Sequence, residues 1–373
     1  MIQEGQLPDS EERITSLDLT GSIDVMVLII GFPDRTHSWP KFSNDPSYPD
    51  EYFPIQGAFS DETTLREYIA QHGPINVEEW IEPGFELYLD KYSGGKYTAD
   101  AIFPKRSNGE PYLTIHNFQY WIDLNEGSND VVYHYAIQII QEAAYNLLLD
   151  DPDAFEGIDM LQVSFVGITR AEFWVDHGGY TFTSAQTIRN PYNPSEIYYQ
   201  GSLGISHKTG PILHEALHNI GLAVGSPQGF VGLPDRGHDR TVGNSHWNAT
   251  GTYDIMWHNA GLLPMYSLYG NVPLLSYDMI FLGWIEEDEI LEINNQNITN
   301  IRLENIADPL TQEQRQATPP VYRAVKVMIH ENYQNDWDEY FLIEYHNANN
   351  QEINFDKCLH NHDEEPYNEG VLI

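Results

Sequence analysis

Cysteine is nearly missing from this chain: Cys358 is the single one in 373 residues. That excludes an internal disulfide framework and a cysteine-based zinc site. Basic residues are also scarce. Lys and Arg total 18 against 56 Asp and Glu, a formal net charge of −38. A polyanion repels nucleic acid and anionic membrane surfaces, so neither is an expected partner. Long apolar runs are absent too. The longest clean one, Val25 to Ile30, is far too short to span a bilayer, and no membrane insertion is expected. Residues 1–15 are polar and acidic and carry no visible signal peptide. We read the chain as a mature or excised piece of a secreted, extracellular protein. There is no internal repeat and no low-complexity tract, and the sequence fixes no oligomeric state.

What is present supports a folded enzyme-sized body. Apolar residues make up 41% and aromatics 13% of the chain, enough for a sizeable core in one large domain or two modest ones. The acid excess reads first as solubility, including in saline surroundings. Its second reading is that some carboxylates hold calcium, a cation that prefers oxygen ligands. The stretch Asp150 to Asp159 (DDPDAFEGID) is the place to look, although its spacing is not that of an EF-hand and a solvated acidic loop accounts for it. Two glycosylation sequons, Asn248-Ala249-Thr250 and Asn297-Ile298-Thr299, matter only if the source glycosylates secreted proteins.

The hydrophobic pattern predicts the following order. Residues 1–19 form a loose leader. Ile23 to Ile30 is a buried strand closed by Gly31-Phe32-Pro33-Asp34. Leu65 to His72 is a short helix, and Phe85 to Tyr92 is a helix running into the turn Ser93-Gly94-Gly95-Lys96, after which Tyr97 starts a strand. Val131 to Leu149 has helical spacing and is broken by Asp150-Asp151-Pro152-Asp153. Met160 to Ile168 is a second buried strand, and Ser276 to Leu282 is helical. Residues 222–271, rich in Gly, Pro, Asn and His, form a long ordered loop of the kind that usually carries function. From Ile290 onward the pattern changes to short strands: Ile301 to Leu303, Tyr322 to Ile329 and Tyr340 to Tyr345. Gly370 to Ile373 reads as the start of a strand in a chain that continues. The fold class is therefore α+β, with one domain over residues 20–289 and a β-rich C-terminal segment over 290–373.

The chemistry concentrates in His214-Glu215-Ala216-Leu217-His218, which Asn219-Ile220-Gly221-Leu222 extends to HExxHxxGL. On a helix, positions i and i+4 lie one above the other. Both imidazoles can therefore reach one zinc ion, and Glu215 can hold and deprotonate a water beside it. Thr209-Gly210-Pro211 is a plausible helix start, and Gly221 allows a left-handed exit. Ile205, Ile212, Leu213, Ala216, Leu217 and Ile220 can form an apolar flank that buries the motif.

A catalytic zinc site needs a third protein ligand. Val224 stands three residues after Gly221, where a ligand often sits in such motifs, and cannot bind metal. Asp235, His238, Asp239 and His246 are close enough to consider. His238 is attractive on chemistry alone, because imidazole suits zinc. No glutamate occurs between Glu215 and Glu286, which weakens the route through a later acid.

In order along the chain, several further segments match one family. Val25 to Asp34 (VMVLIIGFPD), Tyr88 to Tyr97 (YLDKYSGGKY), the zinc helix, Tyr253-Asp254-Ile255-Met256, Leu275 to Ile285 (LSYDMIFLGWI) and Glu339 to Tyr345 (EYFLIEY) resemble the metallopeptidases of the immune inhibitor A type, metzincin-like zinc peptidases. The resemblance covers most of the chain. It implies a zincin or metzincin-like fold, zinc as cofactor and protein or peptide substrates. It implies Met256 as an apolar floor beneath the metal. In that family glycine-leucine runs directly into proline-aspartate, whose aspartate is the third ligand. Here Gly221-Leu222 is followed by Ala223 to Val231 before Gly232-Leu233-Pro234-Asp235 repeats the ending, an insertion of about eleven residues. Carried over that way, Asp235 is the third ligand, with His238 the alternative.

The expected reaction is metal-assisted peptide hydrolysis with Glu215 as general base. Tyr253, His258 and Tyr266, near the methionine segment, are candidate oxyanion donors. The alternatives are a catalytically impaired peptidase-fold binding protein, suggested by the insertion, and an adhesive surface protein, suggested by acidity and many Tyr and Asn.

Overall fold

The computed structural model describes residues 18–35, 88–104, 106–107, 111–128, 130–165, 168, 179–182, 184–206, 210–223, 233, 274–294, 300–332, 337–347 and 369–372. The molecule is mixed α+β. Its main sheet takes strands β1 (Gly21–Gly31), β2 (Tyr97–Ile102), β3 (Tyr112–Leu113), β4 (Met160–Phe165), β5 (Gly179–Thr181), β6 (Gln186–Arg189) and β7 (Ile197–Ser206). The order is β2-β1-β4-β7-β5. β3 also pairs with β1, and β6 with the first half of β7. β2, β1, β4 and β7 are mutually parallel, whereas β5 runs antiparallel along β7.

β1 is central because its sequence allows it to be buried on both faces. An unbroken apolar run has no solvated side, which suits an interior parallel strand. Val25, Val27 and Ile29 face one core and Met26, Leu28 and Ile30 the other. On the second face lie α1 (Phe118–Leu124) and α2 (Val131–Asp150), the latter contributing Val132, Ala136, Ile139, Ile140, Ala143 and Leu147. On the first face lies α3 (Gly210–Ala223), through Leu213, Ala216, Leu217 and Ile220, together with Leu274, Met279 and Trp284. Those four α3 positions follow the i, i+3, i+4, i+7 rule for one helical face.

Short elements are locked by local chemistry. Asn117 caps α1, its side chain accepting from the Tyr120 N–H at 2.8 Å, and Asp34 accepts from the Phe118 N–H at 2.6 Å. The Ser93-Gly94-Gly95-Lys96 turn closes with the Ser93 hydroxyl donating to the Tyr97 carbonyl at 2.9 Å, both glycines at positive φ. Lys96 then donates to the Gly283 carbonyl at 3.0 Å and pairs with Glu286. Helix α4 (Ser276–Phe281) ends in a Schellman motif: the Gly283 N–H donates to the Ile280 carbonyl and the Trp284 N–H to the Met279 carbonyl, with Gly283 at φ +77°.

A second sheet holds β8 (Ile290–Ile293), β11 (Ala324–Asn332), β12 (Trp337–Asn347) and β13 (Glu369–Leu372) in the order β13-β12-β11-β8, and β9 (Arg302–Leu303) pairs with β10 (Val321–Tyr322). Contacts joining it to the rest include the Ser276 N–H donating to Glu344 at 2.6 Å, and Arg323. That guanidinium is buried and donates to the carbonyls of Ile306 and Trp284 and to Glu289.

The expected strands at Ile23 to Ile30 and Met160 onward, the helices at Val131 to Leu149 and Gly210 onward, and the C-terminal strands are all present. Three readings are corrected. Ile205 is not on helix α3: it lies in β7 and points into the opposite core. Gly221 does not end the helix, which continues through it to Ala223. The leader is not loose at its last residue, since Leu19 is buried and both gives and receives hydrogen bonds, to the Leu282 carbonyl and from the Trp284 indole N–H. The Leu65 to His72 helix lies outside the described residues, as does most of the 222–271 loop.

Candidate metal centre

Helix α3 carries the centre, and its sequence sets the aim of each group. The apolar stripe turns into the sheet, which leaves His214 and His218 on the adjoining half-buried flank, one turn apart. Their rings stand nearly perpendicular, with centroids 4.5 Å apart at 87°. The two Nε2 atoms are 3.0 Å from each other. Glu215, between them in sequence, is buried with 5% of its surface exposed.

A ligand atom from each of His214, Glu215 and His218 lies within 4.8 Å of the others, so the group can hold a metal ion. It is the only such group of His, Cys, Asp and Glu among the described residues. The acidic stretch at 150–159 assembles no comparable set. Its Asp159 carboxylate instead accepts from the Asp24 N–H at 3.0 Å, a strand-end contact. Nothing in that stretch supports the calcium reading.

One residue from beyond the helix completes the local geometry. The Leu233 carbonyl lies 2.6 Å from Nδ1 of His218 and accepts its proton. With Nδ1 protonated, the lone pair resides on Nε2, the nitrogen that faces His214. Such an outer partner orients a ligating imidazole and raises its basicity. The Leu233 N–H in turn donates to the Leu217 carbonyl at 3.1 Å, and its side chain is buried in the same core as α3. The helix runs to Ala223, and ten residues later Leu233 is back against Leu217 and His218.

No protein-family model matches the chain, and no curated protein matches it.

Two residues that hydrogen-bond the helix to the sheet were not legible in the sequence as its partners. The Thr181 hydroxyl, from β5, donates to the Glu215 carbonyl at 2.9 Å. Asn219, fully buried, donates through Nδ2 to the Leu203 carbonyl of β7 at 3.0 Å. The signal for Asn219 was a polar residue at a core-facing position of an apolar helix; Thr181 carried none. Asp235, His238, Asp239, His246, Met256, Tyr253, His258 and Tyr266 lie outside the described residues.

Proposed function

We propose that this protein is a zinc-dependent endopeptidase of the metzincin-like, immune inhibitor A type, acting on protein or peptide substrates outside the cell. The observation that carries the reading is the convergence of His214 and His218 Nε2 atoms beside a buried Glu215, with His218 Nδ1 held by a carbonyl. The donor set fits zinc. Two nitrogens on a tetrahedral ion at about 2.0–2.1 Å stand roughly 3.3 Å apart, close to the separation already present.

When bound, zinc supplies Lewis acidity toward water and toward the scissile carbonyl. Glu215 supplies the base. Its carboxylate takes the proton from the attacking water and delivers it to the leaving amine. Burial keeps that carboxylate beside the reacting atoms, and the fixed His218 tautomer keeps the metal-facing nitrogen unprotonated. Asp235 is the third ligand in this reading, carried over from the family resemblance, and it follows two residues after Leu233, which rests against Leu217 and His218; His238 is the alternative.

The test is zinc content together with hydrolysis of an unfolded protein such as casein, with and without phenanthroline. The Glu215→Gln variant should keep its zinc and lose about 10²-fold or more in hydrolysis. Retained hydrolysis in that variant would overturn the assignment. A zinc-loaded wild-type protein that cleaves nothing would favour the binding-protein alternative, and zinc-free protein indifferent to chelator the surface-protein one. Comparing Asp235→Asn with His238→Asn for zinc affinity decides the third ligand.

A further inference from the structure

A closed circuit of hydrogen bonds ties one turn of α3 to the corner where β5 meets β7. Thr181 donates to the Glu215 carbonyl at 2.9 Å. One helical turn later, Asn219 Nδ2 donates to the Leu203 carbonyl at 3.0 Å. That same carbonyl accepts from the N–H of Phe182 at 3.1 Å, and Phe182 follows Thr181 in the chain. The circuit therefore runs Thr181, Glu215, Asn219, Leu203, Phe182 and back. The turn it encloses contains Glu215 and His218.

Packing alone does not call for this arrangement. Asn219 is buried beside the apolar residues Leu213, Ala216, Leu217 and Ile220, and its Oδ1 has no hydrogen-bond partner among the described residues. Gln162, opposite Gly204 on the neighbouring strand, is buried with neither amide atom partnered among them. A buried polar atom without a partner costs stability, and an apolar side chain of similar volume avoids that cost. Apolar contacts, however, are non-directional and leave a helix free to turn or slide by small amounts. Hydrogen bonds to two strands from points one turn apart remove both freedoms. The Glu215 carboxylate and the His218 ring hang directly from the restrained turn.

We propose that Thr181 and Asn219 are positioning residues that fix the rotation and height of the metal helix, so that the two imidazoles converge on one cation. The inference rests on the zinc reading above and assigns no chemistry to either residue.

The test uses the full chain as Thr181→Val, Thr181→Ser and Asn219→Leu. Each is stripped of metal and titrated with zinc against a chromogenic chelator. Visible spectra of the cobalt-substituted forms and thermal unfolding of the metal-free forms are recorded alongside. Removing an outer partner of a metal site typically weakens binding by about 10–100-fold. Thr181→Val and Asn219→Leu should therefore lose about tenfold in zinc affinity with altered cobalt spectra, while metal-free Asn219→Leu melts no lower than wild type. Thr181→Ser, which keeps the hydroxyl, should bind as wild type does. Undiminished affinity in both Thr181→Val and Asn219→Leu overturns the inference and leaves the zinc reading intact. So does a loss that merely follows a lowered melting temperature, or one that Thr181→Ser shares. Wild-type protein that takes up no zinc removes the zinc reading and this inference with it.

Discussion

The smallest decisions in this molecule are made by single polar groups held where water cannot compete. Glu215 is buried beside two imidazoles, and Arg323 is buried against two carbonyls and the Glu289 carboxylate. Desolvation pushes the Arg323 pKa down, and Glu289 opposes it. Lys96 and Glu286 make an instructive contrast nearer the surface. The hydrogen bond from Lys96 holds the Glu286 carboxyl below its usual range, while partial burial works against it. The sign follows directly. A carboxylate whose folded pKa is depressed adds stability above its unfolded pKa, and that stability is lost as pH falls through the folded pKa. Glu286 is about half exposed, so the amount is small, under about 1 kcal/mol. Thermal unfolding of Glu286→Gln and wild type should therefore differ slightly near neutral pH, and the difference should shrink and disappear as pH falls through the depressed folded-state pKa of Glu286.

At the level of the element, end signals mattered as much as periodicity. Two strands of the main sheet could be read directly: β1 from its apolar run and β4 from Met160, Leu161, Val163 and Phe165. β7 could not, because its Tyr, Gln, Gly and Ser residues do not alternate cleanly. Leu203 and Ile205 turn into the core opposite helix α3, so the alternating residues Ser202 and Gly204, both buried, lie on the side of that helix. Helix α4 was predicted to within a residue, and its termination is set by Gly283. At φ +77° that residue is in the left-handed region, and an added Cβ would lie 2.7 Å from the Asp18 Cα. A left-handed conformation costs a non-glycine residue roughly 1–2 kcal/mol before any clash is counted. Gly283→Ala should lower stability by at least about that amount in denaturant titrations. A smaller loss would mean that the Asp18 to Leu19 entry segment shifts aside at no cost.

On the scale of the whole molecule, the dominant quantity is the formal charge of −38. Self-repulsion of that size disfavours the compact state, and salt screens it over about 10 Å at 0.1 M. The melting temperature should accordingly rise as sodium chloride increases from low ionic strength. A flat or falling curve would show that surface carboxylates are already compensated. The sequence by itself determined the α+β class, the buried strand β1 and the identity of the residues that could hold a metal ion, because these follow from apolar periodicity and from the i, i+4 geometry of a helix. It could not assign Leu233 to His218, Thr181 to Glu215 or Asn219 to Leu203. Those partnerships join residues far apart in the chain, and only the order β4-β7-β5 and the return of the chain after Ala223 bring them within hydrogen-bonding distance. Local chemistry names the groups; which backbone atom each one meets is a property of the packed layers.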